Sequence, residues 1–255
     1  MKFSANLGFL WRELALPDAI RAAKAAGFDA VECHWPYATP AAEVSRALAE
    51  TGLPMLGLNT VRGDPAAKEF GLSALPGRED EARAAIDQAV AYGAEIGARN
   101  VHVMAGVAQG PEAEAVFLNA LEYACACAAP QGMTILIEPL NPYDAPGYFL
   151  GTTGHAQRMI EAVNRPNLRL MFDCYHVQRT EGDVVRRLRD LLPLIGHIQF
   201  ASTPDRGAPD HGTLDYTAVF QRIEALGWAH PLGAEYLVSG DTEATLHWLS
   251  RDWTG

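Results

Sequence analysis

The sequence predicts a single (β/α)8 barrel, a TIM barrel of the α/β class covering residues 1–255 as one domain, on three observations. Short apolar, β-branched runs alternate with helical patterns eight times, in units of roughly 25 to 40 residues. No Gly-x-Gly-x-x-Gly follows the first run, which disfavours an open dinucleotide-binding sheet. Nearly every run delivers a hydrogen-bonding or ionisable residue at its end, where barrel loops converge to build a site.

Each element has its own signal. Residues 3–7 alternate and predict a strand ending near Asn6. Residues 17–26 predict a helix with Asp18 in its first turn and Gly27 as its stop. Residues 28–33 form a strand that delivers Glu32, followed by the loop HWPYATP. A helix over 40–50 closes at Gly52, and a third strand over 53–58 leads to Asn59. Residues 60–77 show no periodicity, and a loop of that length is usually functional or mobile. It carries Arg62, Lys68, Gly71 and Gly77.

A long helix is predicted over 79–96 and a strand over 100–104 carrying His102. A helix follows over 112–129. The run TILIEPLNPYD begins at Thr134 and delivers Glu138. Pro139 holds Glu138 out of the α region and removes a ladder donor, so the strand stops there. A helix over 152–163 has Thr152 as its cap. The strand over 168–173 ends in Asp173, with Tyr175 and His176 just beyond. A helix over 181–192 leads to a strand over 194–200 carrying His197 and Gln199. Another loop, 201–213, contains Arg206. The last units are a helix over 216–226, a strand over 231–236 delivering Glu235, and a helix over 241–248.

Composition bounds the function. The net charge is −11 and no basic face is evident, so duplex nucleic acid and anionic membranes are not the expected partners. Arg12 and Glu13 interrupt the N-terminal apolar run before a signal-peptide core forms. No segment approaches the roughly 18 to 20 consecutive apolar residues of a membrane span. Cys33, Cys125, Cys127 and Cys174 read as small buried hydrophobes in a reducing cytoplasm, the expected location. Trp11, Trp35, Tyr148 and Phe149 are candidates either for the pocket wall or for core packing.

The strand ends in order are Asn6, Glu32, Asn59, His102, Glu138, Asp173, Gln199 and Glu235. Carboxylates converging without partners repel one another, and a divalent cation resolves that conflict. Glu138, Asp173 and Glu235, with the amide oxygen of Gln199, form an oxygen-rich set suited to Mg2+ or Mn2+.

The strings VHVMAG, LIEPLN, PGYFL, DCYHVQ, GDV, IGHIQ, DY and GAEY, in this order and spacing, resemble the hydroxypyruvate isomerase family. That family belongs to the xylose isomerase-like barrels, with ketose 3-epimerases and an apurinic endonuclease. The resemblance implies that Glu138 and Glu235 are proton donor and acceptor, and that with Asp173 and Gln199 they hold the metal. It implies a metal-dependent isomerase interconverting hydroxypyruvate and tartronate semialdehyde, or a related 2-oxo sugar acid, through an enediolate, and a homodimer. His102, His176 and Asn59 are then candidates to meet substrate oxygens, and Arg206, Lys68 and Arg62 to meet its carboxylate.

Two departures bear on the substrate. GDPAAKEFG lacks a Gly-Glu-Arg-Gly character, and Thr213 stands where relatives often carry an acid. The alternatives are a 2-oxo-tetronate isomerase or a ketose 3-epimerase. In a different class, the chain would be a non-catalytic sugar-acid-binding barrel.

Overall fold

The computed structural model of the protein describes residues 1–67 and 69–253, so Lys68 lies outside the described residues. Its strands are β1 (Phe3–Asn6), β2 (Ala30–Glu32), β3 (Gly57–Asn59), β4 (Asn100–His102), β5 (Thr134–Ile137), β6 (Leu168–Asp173), β7 (Ile195–Phe200) and β8 (Leu232–Ala234). All pair in parallel, in the order β2-β1-β8-β7-β6-β5-β4-β3. The seam between β2 and β3 is stitched by a Val31–Met55 bridge, where Leu56 N–H donates to Val31 O at 2.7 Å. This is the predicted eight-stranded barrel.

The helices α1 (Leu16–Ala26), α2 (Ala41–Thr51), α3 (Glu79–Ile96), α4 (Gly110–Ala128), α5 (Thr153–Val163), α6 (Cys174–Thr180), α7 (Val184–Leu191) and α8 (Tyr216–Ala225) surround it. Local chemistry sets their ends. Pro17 starts α1 and Gly27, at φ 96°, closes it by donating to the carbonyls of Ala23 and Lys24. Thr152 caps α5 by accepting from His155 N–H at 3.2 Å, a bond worth about 1 kcal/mol.

Several boundaries differ from those the sequence predicts. β3 is only three residues long, although Leu53, Met55 and Leu56 before it are buried as predicted. An apolar run reports burial rather than ladder pairing. The residues just beyond Asp173, for which no element is predicted, form α6, and the following helix starts late because Gly182 and Asp183 adopt left-handed φ of 67° and 51°. The predicted C-terminal helix is a 3-10 segment, Glu243–Ser250. The loop over 60–77 is docked: Ala74 N–H donates to Ala105 O at 2.7 Å and Ser73 N–H to Met104 O at 3.3 Å. Gly71, at φ 125°, lies where a Cβ would collide with the Met104 backbone.

Outside β1 and β7 the Phe3 and Phe200 rings meet Trp248 edge-on, and Phe3, Phe200 and Phe220 meet one another in the same way, with centroids 5.1 to 5.8 Å apart. Each such pair contributes about 0.5–1.5 kcal/mol beyond area burial, tying the C-terminal segment to the barrel. Cys33, Cys125 and Cys174 are buried, whereas Cys127 is half-buried with Sγ 3.8 Å from Asp87 Oδ1. Among the described residues no helix is long and apolar enough to cross a membrane.

Candidate active site

The strand register brings the polar ends together. Asn6 lies beside Glu32, Asn59 beside His102, and Asp173 beside Gln199. Between β6 and β7 the register advances by one residue at Leu170/Met171. A one-residue slip exchanges the faces of a strand, so this irregularity sets the phase that turns Gln199 toward Glu32 and Glu235. Glu138 and Glu235 each stand one residue past a strand, on β5 and β8.

The result is a buried cluster. One side-chain atom each from Glu138, Asp173, His176 and Glu235 lie within 4.8 Å of one another. Glu235 is held from several directions. Its Oε1 accepts from Asn6 Nδ2 at 2.9 Å and meets His34 Nε2 at 3.0 Å, while Oε2 accepts from Arg206 Nη2 at 2.7 Å. Asp173 Oδ1 accepts from Tyr175 N–H at 2.8 Å, capping α6, and its Oδ2 remains unpartnered. Buried Glu138 Oε1 and Gln199 Oε1 likewise have no hydrogen-bond partner.

These surroundings drive the two glutamates apart. Burial raises Glu138 well above the ordinary carboxyl range, and neighbouring Glu235 and Asp173 raise it further. Burial also pushes Asp173 up, to about 7, with Glu235 adding to it against Arg206. Glu235 goes the other way: burial would raise it, but the His34 hydrogen bond and the Arg206 charge outweigh that and hold it at about 2. In a pair of titratable groups split in this manner, one holds a proton and the other accepts one.

His102 and His176 are neutral. Burial lowers His102 to about 3, and burial with Arg206 takes His176 well below its ordinary value. His176 Nδ1 accepts from Asn141 N–H at 3.0 Å, so its proton sits on Nε2, 3.7 Å from Asp173 Oδ2 and 3.9 Å from Glu138 Oε1. In that tautomer His176 is a donor toward the cluster rather than a metal ligand. His102 has both ring nitrogens unpartnered, with Nδ1 3.7 Å from Glu138 Oε2.

Above the acids lies a cavity of about 250 Å3. Asn59, His102, His176, Arg62 and Arg206 line it, as do Trp35 and the unanticipated Phe9 and Phe70. Trp11, Tyr148 and Phe149 are buried in the core instead. Arg206, at a left-handed φ of 58°, is sandwiched between the Phe9 and Tyr175 rings at 4.7 and 5.0 Å. Non-glycine residues in this region cost about 1–3 kcal/mol and are kept where surrounding contacts require them. Arg62 sits over Trp35 and Phe70 at 5.2 and 5.9 Å.

Sequence reasoning did not single out His34 as a site residue. Its only local signal is its place two residues beyond Glu32, in the loop after β2.

Comparison with known proteins fits this geometry. A family profile described as xylose isomerase-like TIM barrel matches residues 20–251. A protein of Cupriavidus necator named 2-oxo-tetronate isomerase is 43% identical over 252 residues, covering 97% of each chain. The hydroxypyruvate isomerase of Escherichia coli is 33% identical over 253 residues, covering 98% of each. A Brucella melitensis crystal structure titled AP endonuclease, family 2, superposes with a TM-score of 0.94 at 37% identity, covering 98% of this chain and 99% of that one. The chain therefore belongs to the xylose isomerase-like TIM barrels and, within them, to the hydroxypyruvate isomerase family.

Proposed function

We propose that the site isomerises a short 2-oxo hydroxy acid, interconverting hydroxypyruvate and tartronate semialdehyde by proton transfer between Glu138 and Glu235. One observation carries this reading: two buried glutamates share a cluster, and their surroundings drive one toward the protonated form and the other toward the ionised form. The names of relatives 33% and 43% identical support the reaction class. The net charge of −11 opposes binding to DNA, although a similar structure carries an endonuclease title.

In this scheme one glutamate takes the proton from the hydroxymethyl carbon, and the other gives its proton to the adjoining carbonyl carbon. The hydroxyl proton passes to the former carbonyl oxygen, so the exchange balances through an enediolate. Direction decides which glutamate gives. His176 Nε2–H and His102 stand close enough to the acids to meet substrate oxygens.

The residues also fit a divalent cation, because Glu138, Asp173 and Gln199 each keep a buried oxygen without a partner. A carboxylate and amide set of this kind suits Mg2+ or Mn2+, held by Glu138, Asp173, Gln199 and Glu235. The bound cation would supply Lewis-acid polarisation of the substrate's carbonyl and hydroxyl oxygens.

Arg206 is the cation assigned to the substrate carboxylate, its Nε buried without a partner and its plane fixed between two rings. Arg206→Lys loses bidentate geometry while keeping charge. It is expected to raise KM for the acid roughly 10-fold or more, with a smaller effect on kcat. Steady-state kinetics on wild type and variant measure that split.

The 2-oxo-tetronate reading stands beside this one, favoured by the 43% identical relative so named. A turnover panel of hydroxypyruvate, four-carbon 2-oxo acids and free ketoses decides between them. Preference for hydroxypyruvate supports the first and for the four-carbon acid the second. Turnover confined to free ketoses would overturn both.

A further inference from the structure

Below the acid cluster, Glu32 is a buried hub whose hydrogen bonds reach β1, β7 and, through Asn6, β8. Its Oε2 meets His197 Nε2 at 2.5 Å, and its Oε1 accepts from Gln199 Nε2 at 3.1 Å and Asn6 Nδ2 at 3.2 Å. Asn6 cannot reverse its amide cheaply, because its Oδ1 accepts from Gly8 N–H at 2.9 Å while Nδ2 also serves Glu235. Gly233 leaves the space for this hub, since a Cβ there would run into Glu32 Oε1 and the Gln199 side chain.

Glu32 Oε1 is the acceptor that faces Gln199, since it already accepts from the Asn6 nitrogen that Gly8 N–H holds in place. The Gln199 nitrogen is therefore the end turned to Glu32, and it also lies 3.4 Å from Glu235 Oε1. The amide oxygen must face away, and it is one of the buried oxygens that have no partner. Reversing the amide would present an N–H donor where a cation needs an oxygen, and would set oxygen against oxygen at Glu32.

We infer that Glu32 is a positioning residue, whose carboxylate holds the Gln199 amide nitrogen and so leaves the amide oxygen, buried and without a partner, as the end open to a cation. The inference rests on the cation-binding reading above. It differs from two simpler roles for Glu32, a nearby negative charge that attracts any cation and an anchor that only holds the fold.

Calorimetric titration of the metal-free protein with Mn2+ separates these. Loss of an outer partner of a metal ligand typically weakens binding about 10- to 100-fold, and Glu32→Met is expected to do so. Gln199→Met should weaken binding too, and the Glu32→Met/Gln199→Met double variant should bind within about threefold of Gln199→Met, because Glu32 acts through that amide. Glu32→Gln loses the charge but keeps an acceptor toward Gln199 once His197 takes the opposite tautomer, so its affinity should stay within about threefold of wild type.

Additive losses in the double variant, or a Glu32→Gln loss as large as that of Glu32→Met, would overturn the positioning role in favour of bare charge. Unchanged affinity in Glu32→Met would overturn it in favour of a fold anchor. If Glu32→Met does not fold, Glu32→Gln against wild type decides alone, with a loss of about tenfold or more counting against. Wild type that binds no Mn2+ would overturn the cation reading itself, an outcome distinct from the others.

Discussion

Glu138→Gln and Glu235→Gln are each expected to lower turnover by about 10²–10⁴-fold, the span that general acid–base catalysis supplies. Neither amide can hold or release a proton at the reacting carbon, whichever direction the reaction runs. The two variants should nevertheless differ in stability. Glu138 is a buried acid whose surroundings resist its charge, so replacing it with a neutral amide should leave the melting temperature unchanged or raised. Glu235 is the close partner of Arg206 at 2.7 Å and of His34 at 3.0 Å. Its loss leaves a buried guanidinium with only Asp173 at 3.9 Å and Asp144 at 3.5 Å, and should cost up to about 3 kcal/mol. Initial rates and thermal melts on the two variants test both halves. Retained isomerisation in either would remove the two-glutamate scheme.

Chelation is expected to abolish activity, with Mg2+ or Mn2+ restoring it, and the cation's stabilising effect should grow with pH. Glu138 and Asp173 have raised proton affinities in the folded metal-free protein. A raised carboxyl favours the fold below its unfolded value, and that advantage is lost as pH rises through the folded value, which for Asp173 is about 7. A bound cation removes this penalty and must displace those protons, so its affinity climbs as they leave. His102 and His176, with lowered values, act oppositely and cost stability as pH falls below their ordinary 6.5. The difference in melting temperature between metal-loaded and metal-free protein isolates the carboxyls. It should widen from pH 5.5 to pH 8, by an affinity change of about tenfold per pH unit for each proton displaced. A difference independent of pH would contradict the unpartnered carboxyls as cation ligands, and full activity in metal-free protein would remove the Lewis-acid role.

Much of the fold is legible because barrel units repeat a local pattern. α3 and β6 begin and end where periodicity and the flanking residues place them, at Glu79–Ile96 and Leu168–Asp173. The strand-end residues are legible for the same reason, since position along the strand fixes which rim a side chain occupies. Other features depend on partners far away in sequence. The His197–Glu32 bond spans 165 residues, and the Asn6 and His34 contacts to Glu235 span 229 and 201. No spacing rule announces such pairs. α6 was hidden because its cap is Asp173 itself, a residue whose carboxylate reads first as chemistry. The tautomer of His176 is likewise set by a backbone N–H on another loop.

The central claim is that a proton, exchangeable with water, moves between two glutamates at adjacent substrate carbons. Proton NMR of hydroxypyruvate equilibrated with the enzyme in D2O tests it most directly. The expected result with wild type is deuterium at the hydroxymethyl carbon of hydroxypyruvate and at the hydroxyl-bearing carbon of tartronate semialdehyde, and with Glu138→Gln or Glu235→Gln no product and exchange at no more than one of the two carbons. Isomerisation over many turnovers with the original hydrogen fully retained would signify an internal hydride shift and contradict the account.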